Sequence, residues 1–275
     1  MALTSLAFYG FVWQSQAQIT LANRNSTAII DPVNHNGMFH WDIQGQNQLH
    51  QQWFWFSVGL SAPAPIETIS APAITPGLGS LAGRYVDIAY ANAGFNVSVE
   101  YLLTGGAPAA INQVATADLT ESITINNTSG APLQFHFYQY SDFNLGAPGG
   151  DSVQLTTDGN GLFNSAAQSD GVNLLTESVT TANPSASHGE AGLVPVTLNK
   201  LNNGVNPVVL NDNPSAGPGD VSWALEWDIT IDTGGSFLLS KDKHLNVQIV
   251  PEPSALGLLA VGFVAARCFR RREGH

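Results

Sequence analysis

Apolar and polar residues alternate over residues 221–232, the most regular pattern in the chain. One face of this segment is apolar and the other is polar: Val221, Trp223, Leu225, Trp227, Ile229 and Ile231 alternate with Ser222, Glu226, Asp228, Thr230 and Asp232. Because successive side chains of a β-strand point to opposite sides, a period of two predicts a strand with one buried face. We expect a hairpin through Gly234 and Gly235 into a second strand at residues 236–240.

The same alternation recurs along the chain. It predicts a hairpin of residues 84–90 and 95–102 around Gly94, a strand-turn-strand unit of residues 119–125 and 133–140, and further strands at residues 152–156 and 172–180. Outside the two ends, no stretch shows the spacing of an amphipathic helix. The pattern therefore predicts an all-β fold, an antiparallel, jelly-roll-like β-sandwich formed as one domain by residues 18–250.

The C-terminal 25 residues have a different layout. The sequence Pro251, Glu252, Pro253 precedes an apolar run at residues 255–266, and a basic cluster follows: Arg267, Arg270, Arg271 and Arg272. A short hydrophobic helix ending in cations is typical of a membrane anchor whose basic end stays on the cytoplasmic side. The run of 12 residues is short of the roughly 20 that cross a hydrocarbon core.

This order of proline-glutamate-proline, short apolar helix and terminal arginines resembles the PEP-CTERM sorting signal of exported proteins in Gram-negative bacteria. The resemblance covers residues 251–275 and implies processing by a membrane transpeptidase of the exosortase type. It also implies an inner-membrane-anchored precursor, a final place at the cell envelope or extracellular surface, and a setting of exopolysaccharide and biofilm matrix. It implies nothing about the chemistry of the rest of the chain.

The N-terminus is compatible with export. Residues 3–13 are apolar, and Ser15 and Ala17 are the small residues that a signal peptidase prefers. No Lys or Arg precedes the apolar run, so residues 1–17 are expected to be a signal peptide that is weak or truncated. The alternative is a first strand that packs into the core.

Charge narrows the set of partners. Before Pro251 the chain has five basic residues against nineteen acidic ones, a net charge of −14. A domain this acidic repels phosphate backbones, so nucleic-acid binding is not expected. The single cysteine, Cys268, lies in the tail. We therefore expect no disulfide in residues 18–250, whose stability must come from sheet packing.

Two carboxylates on the polar face of residues 221–232 are the catalytic candidates. Glu226 and Asp228 are two residues apart, and a retaining glycosidase needs two carboxyl groups about 5 to 5.5 Å apart. The segment resembles the Glu-x-Asp-x-x-Glu strand of laminarinase-like jelly-roll glycosidases. It departs from that pattern at Ile231, where the family has its second Glu. We interpret the face as a solvent-facing polar stripe, and expect His136, on an otherwise aromatic strand face, to be packed and hydrogen-bonded.

The glycine-rich stretch of residues 142–161 offers oxygen ligands of the kind that Ca²⁺ prefers. Its candidate ligands are Asp142, Asp151, Asp158 and Asn160. Their spacing does not complete any calcium motif, and such loops commonly serve as turns. Calcium is the only cofactor that the sequence suggests.

Aromatic residues near amides suggest a carbohydrate platform. Trp41 and the run Trp53, Phe54, Trp55, Phe56 could stack on sugar rings, although a consecutive aromatic run is more typical of a strand buried on both sides. We expect the latter.

Together these features predict an exported, envelope-anchored or exopolysaccharide-associated surface protein without catalytic activity. The alternatives are a lectin-like carbohydrate-binding module and a divergent glycoside hydrolase of the jelly-roll type.

Overall fold

The computed structural model describes residues 18–146, 149–180 and 184–250. These residues form eighteen strands: β1 Ile19–Asn23, β2 Ser26–Asp31, β3 Gly37–Ile43, β4 Gln46–Asn47, β5 Leu49–Val58, β6 Ala64–Pro65, β7 Ala73–Pro76, β8 Tyr85–Ala91, β9 Phe95–Gly105, β10 Val114–Asn127, β11 Leu133–Phe143, β12 Asp151–Thr157, β13 Phe163–Ser169, β14 Leu174–Val179, β15 His188–Leu193, β16 Ser215–Gly219, β17 Val221–Ile231 and β18 Ser236–Gln248. The described part also contains one α-helix, α1 at Val196–Asn203, and two 3₁₀ turns at Ile66–Thr68 and Gly79–Leu81.

The strands form two sheets of nine. The first sheet has the order β1-β2-β3-β5-β11-β17-β15, with β4 beside β3 and β6 beside β5. The second has the order β16-β12-β13-β14-β18-β10-β9-β8-β7. Among the pairings of the described strands, only β3 with β5 is parallel. The predicted all-β antiparallel sandwich is therefore confirmed, whereas the predicted C-terminal helix lies outside the described residues.

The structure confirms one of the predicted hairpins and contradicts another. The predicted hairpin around Gly94 is present, because β8 pairs antiparallel with β9. The hairpin predicted through Gly234 and Gly235 is wrong, since β17 pairs within the first sheet and β18 within the second. Likewise β10 and β11 follow one another in sequence but belong to different sheets. The alternation identified all four strands correctly, but it carries no information on which sheet a strand joins.

Asn127 supports both of these crossovers. Its side-chain amide donates to the carbonyl oxygens of Ala131, Ile231 and Asp232 at 2.8, 2.9 and 3.1 Å. It thereby fastens the end of β10 to the end of β17. One buried asparagine thus satisfies backbone acceptors at the point where two connections leave one sheet for the other.

The core lies between the facing sheets and is rich in aromatic residues. Phe54 of β5 stacks on Phe137 of β11 with ring centroids 5.5 Å apart, and Phe137 lies 6.1 Å from Trp227 of β17. On the second sheet, four charged residues face this aromatic layer and are fully or almost fully buried: Glu121, Glu177, Lys241 and Lys243. We call them the buried ion cluster.

The outer face of the first sheet is covered as well. Trp53 and Trp55 point outward from β5, where their indole N–H groups donate to Glu67 at 2.7 Å and to Asn202 of α1 at 3.1 Å. Beyond α1, residues 205–213 cross the same face as an extended segment, which we call the strap. The eight-residue helix was missed in the sequence because only Thr197 and Leu201 of it are buried.

Candidate functional site

Five titratable residues meet on the outer face of the first sheet, at one edge of the strap. The pairing register places His136 of β11 opposite Asp228 of β17. It also places Glu226 of β17 opposite His188 of β15. Asp212 of the strap completes the group. We call these five residues the histidine–carboxylate cluster.

Short distances connect its members. His136 Nδ1 donates to Asp228 and lies 3.9 Å from Glu226 Oε1. His188 Nδ1 donates to Asp212 Oδ1 at 3.0 Å, and its Nε2 lies 3.7 Å from Asp228 Oδ2. One side-chain nitrogen or oxygen atom from each of His136, Glu226 and Asp228, of the kind that binds metal ions, lies within 4.8 Å of the other two.

The strap holds Glu226 in place. The backbone N–H of Leu210 donates to Glu226 Oε2 at 2.8 Å, and Tyr138, which lies opposite Glu226 on β11, donates its hydroxyl to the carbonyl of Val208 at 2.8 Å. The side chain of Glu226 is fully buried, whereas that of Asp228 is 35% exposed. Glu226 Oε1 has no hydrogen-bond partner in the described part of the chain.

Burial is the main electrostatic influence on Glu226. It raises the pKa of this carboxyl to about 8, the N–H of Leu210 opposes the rise, and the negative charge of Asp228 adds to it. Removing a carboxylate from water disfavours its charged form, and a second carboxylate nearby does the same. Glu226 therefore holds a proton more tightly than an exposed glutamate does.

A second anchor of the strap lies beside the cluster. Glu190 of β15 accepts from Lys200 at 2.6 Å, from Thr197 at 3.1 Å and from the backbone N–H of Asn211 at 2.8 Å. This almost fully buried carboxylate therefore joins β15, α1 and the strap. The strap is fixed at two glutamates, and the two histidines remain at its edge, 21% and 29% exposed.

These positions correct the interpretation of Glu226. The polar stripe predicted for residues 221–232 does face outward from the sheet, but the strap covers it at Glu226. His136 is hydrogen-bonded as predicted, and its partner is the carboxylate of Asp228 on the neighbouring strand. Nothing in the sequence indicated that His188 and Asp212 would join this group, because that depends on how β11, β17 and β15 pair.

The four calcium candidates fall into two separate places. Asp142 and Asp151 are buried, and Gln168 joins their two strands by donating to the Phe143 carbonyl at 2.6 Å and to Asp151 Oδ2 at 2.7 Å. Asp158 lies beyond the far end of β12, seven residues from Asp151, or about 23 Å along an extended strand. There its carboxylate accepts the backbone N–H groups of Asn160 and Leu162. The four residues cannot bind one ion together, and calcium binding at Asp142 and Asp151 stays a prediction.

The aromatic residues proposed as a sugar platform belong to the core or lie beneath covering segments. Trp41, Trp53, Phe54 and Trp55 have no exposed surface, and Phe56 packs against Phe95 and Phe135. The expectation that this run is a strand buried on both sides is confirmed.

The sorting residues and the ends of the chain lie outside the described residues. This applies to Pro251, Glu252 and Pro253, to the four tail arginines, and to the predicted signal peptide. In the described part no helix has the length and apolar character needed to cross a membrane.

Comparison with known families confirms the resemblance found in the tail. The model of the PEP-CTERM protein-sorting motif matches residues 250–272. The chain therefore carries the sorting signal of an exosortase substrate, which implies export and processing at a membrane. No curated protein matches the chain.

Solved structures share the fold of the described sandwich. A bacterial glucoamylase complexed with acarbose superposes with a TM-score of 0.56 at 9% identity, over 86% of this chain and 34% of that one. A galactose mutarotase related enzyme from Lactobacillus acidophilus gives 0.55 at 7% identity, over 85% and 98% of the two chains. A galactose mutarotase-like protein from Clostridium acetobutylicum gives 0.54 at 9% identity, over 86% and 97%. The superposed part of this chain thus spans about a third of the length of the glucoamylase and nearly the whole length of each of the two mutarotase-like proteins.

Proposed function

We propose that this protein is an exported, non-catalytic carbohydrate-binding module that associates with extracellular polysaccharide through the histidine–carboxylate cluster. In this proposal residues 1–17 direct export and the tail anchors a precursor in the inner membrane. An exosortase then processes the tail, which leaves the sandwich at the cell envelope or in the biofilm matrix.

The observation that carries the proposal is the set of half-exposed polar groups at the edge of the strap. His136, His188, Asp212 and Asp228 bring planar donors and acceptors together on a rigid sheet, and such groups bind pairs of sugar hydroxyls. The negative charge of the domain also favours neutral or cation-bridged glycans over anionic polymers. The named activities of similarly folded proteins, a glucoamylase and galactose mutarotases, agree with a carbohydrate ligand.

The burial of Glu226 supports a binding role over a catalytic one. An acid or base must reach the proton that it transfers. Glu226 has no exposed surface, and one of its oxygens is engaged by the N–H of Leu210. A substrate would touch Asp228 and the two histidines without touching Glu226.

A glycoside hydrolase is the second candidate. The observation in its favour is that carboxyl oxygens of Glu226 and Asp228 lie within 4.8 Å of each other, close to the separation of about 5 to 5.5 Å between carboxyl groups in retaining enzymes. Catalysis on this pair would require the strap to move away from Glu226. Hydrolysis that disappears in both Glu226→Gln and Asp228→Asn would establish the enzyme and overturn the non-catalytic proposal.

The test of binding is a glycan array probed with residues 18–250, which contain every described strand. His136→Ala and His188→Ala should each reduce glycan retention at least tenfold. The matched control is His244→Ala: His244 also donates to a carboxylate, Asp118 at 2.7 Å, but lies on the second sheet. No retention of any glycan, or retention that both cluster variants preserve, would refute the proposal.

A further inference from the structure

The histidine–carboxylate cluster has more negative than positive groups. Three carboxyl groups and two imidazoles meet there, and in the described part of the chain no Lys or Arg forms an ion pair with any of them. The nearby Lys200 is paired with Glu190 instead. Closely spaced carboxylates on a covered surface repel one another unless protons or a cation compensate them.

One buried atom points into the cluster without a partner. Glu226 Oε1 makes no hydrogen bond within the described residues, although the side chain has no exposed surface. His136 Nδ1 lies 3.9 Å from this oxygen, which is beyond hydrogen-bonding distance. A buried carboxyl oxygen in this state is usually satisfied by a water molecule or an ion.

We propose that the cluster binds one divalent transition-metal ion, with Zn²⁺ as the best fit, through His136 Nδ1, Glu226 Oε1 and the Asp228 carboxylate. His188, whose Nε2 lies 3.7 Å from Asp228 Oδ2, supports that carboxylate from outside the coordination sphere. This inference does not rest on carbohydrate binding, and the two can be tested separately.

The distances are close to what such an ion requires. Zinc binds nitrogen and oxygen ligands at about 2.0 to 2.2 Å in a tetrahedral arrangement, which places neighbouring ligand atoms about 3.3 Å apart. Nδ1 of His136 lies 3.9 Å from Glu226 Oε1, and the ligand atoms of His136, Glu226 and Asp228 all lie within 4.8 Å of one another. Binding the ion would draw Glu226 Oε1 towards His136, which would exchange its hydrogen bond to Asp228 for the metal.

The surrounding hydrogen bonds orient one ligand and one neighbour of the site. Nδ1 of His188 is bonded to Asp212, which turns Nε2 of His188 towards the ligand Asp228. Groups that orient a ligating carboxylate in this way commonly tune the affinity for the metal. On Glu226, the N–H of Leu210 engages Oε2 and leaves Oε1 directed at the cluster.

The ligand types favour a transition metal over calcium. Calcium takes six to eight oxygen ligands, whereas this site supplies one imidazole nitrogen and two carboxylates. Imidazole suits zinc, copper, nickel and iron, and a site closed on one side by the sheet and the strap suits a small coordination number.

The test is calorimetric titration of the purified full chain, stripped with chelator, using ZnCl₂ alone. We expect one Zn²⁺ per chain and a Kd that rises at least tenfold in His136→Ala, in His188→Gln and in Asp228→Asn. His188→Gln and Asp228→Asn keep the size of the side chain, and so guard against a variant that fails merely because it does not fold. The double variant His244→Ala, Asp118→Asn should bind as the wild type does.

A second readout identifies the ligands. The zinc X-ray absorption edge should show nitrogen and oxygen neighbours at about 2.0 to 2.2 Å, with one imidazole ring. The inference is overturned if Zn²⁺ does not bind, if the three cluster variants bind with unchanged affinity, or if Ca²⁺ binds at this site while Zn²⁺ does not. Glycan binding that persists in the presence of chelator would show that carbohydrate binding does not require the metal.

Discussion

Leu210 donates its backbone N–H to Glu226 Oε2 at 2.8 Å, and this bond ties the strap to β17 of the first sheet. Because the acceptor is buried, its loss leaves both the amide and the covering segment without support. Glu226→Ala should therefore speed hydrogen exchange of the Leu210 amide about tenfold or more, corresponding to about 1.5 to 3 kcal/mol for a bond to a charged or strongly polar group. Glu226→Gln, whose amide oxygen still accepts, should retain most of the protection. Equal exchange in the wild type and in Glu226→Ala would mean that this bond does not hold the strap.

The buried ion cluster yields a prediction about stability. Lys243 Nζ lies 2.7 Å from Glu121 and 3.0 Å from Glu177. Burial alone would lower the pKa of Lys243, but the charges of the two glutamates outweigh it and raise that pKa. Lys243→Met should reduce the free energy of unfolding by about 3 to 5 kcal/mol, because it leaves the two buried glutamates with Lys241 as the only cation of the buried ion cluster.

Lys200→Met provides the comparison for this measurement. Lys200 also bonds a buried glutamate, but its own side chain is 28% exposed and Glu190 has other donors. Its loss should cost about 1 kcal/mol or less. Denaturant unfolding measures the loss of unfolding free energy in both variants. Equal losses in Lys243→Met and Lys200→Met would contradict the role given to the buried ion cluster.

Asp142 makes stability depend on pH. Burial raises the pKa of its carboxyl to about 6; the charge of His50 opposes the rise and that of Asp220 adds to it. In an unfolded chain the pKa is about 3.9. The folded state therefore binds this proton more tightly, so ionised Asp142 destabilises the fold above pH 6, and the penalty disappears as the pH falls from 6 to 4.

Urea unfolding in the presence of chelator tests this prediction. Asp142→Asn should be more stable than the wild type at pH 7, by about 1 to 3 kcal/mol, and the difference should shrink towards pH 4. Asp118→Asn, an exposed carboxylate 52% accessible, should show no comparable change. A less stable Asp142→Asn at pH 7 would show that the ionised carboxylate has a favourable partner there.

The sorting motif predicts a change of location. Deletion of residues 251–275 removes the segment matched by the PEP-CTERM model, so the sandwich should leave the membrane fraction and accumulate in soluble form outside the inner membrane. Cell fractionation followed by immunoblotting measures this, and replacing only the four tail arginines separates the basic cluster from the proline motif. Unchanged envelope retention of the deletion variant would refute the anchor.

The sequence contained enough to predict the fold class but not the site. Alternating residues identified β8, β9, β10, β11, β17 and β18, since a half-buried strand leaves a period-two pattern whatever its neighbours are. The pattern cannot show that β17 and β18 separate into different sheets, because the Gly234–Gly235 turn between them would suit a hairpin equally well. His136 and Asp228 are 92 residues apart, and only the pairing of β11 with β17 brings them together.

The burial of Glu226 could not be predicted from the sequence. The alternation along β17 is the same whether its polar face is exposed or covered, and the strap has no pattern of hydrophobic residues that would reveal that it covers this face. The tail is the opposite case: Pro251, Glu252 and Pro253 act through a linear motif, so the sequence alone identified them.

The central claim is that carbohydrate binds at His136 and His188, and the imidazole resonances of these residues test it most directly. A ¹⁵N-histidine-labelled protein should be titrated with the glycan that the array retains most strongly. We predict that the ring resonances of His136 and His188 shift with saturation, while those of His40 and His244 stay constant. Binding that leaves both cluster histidines unchanged would contradict the account.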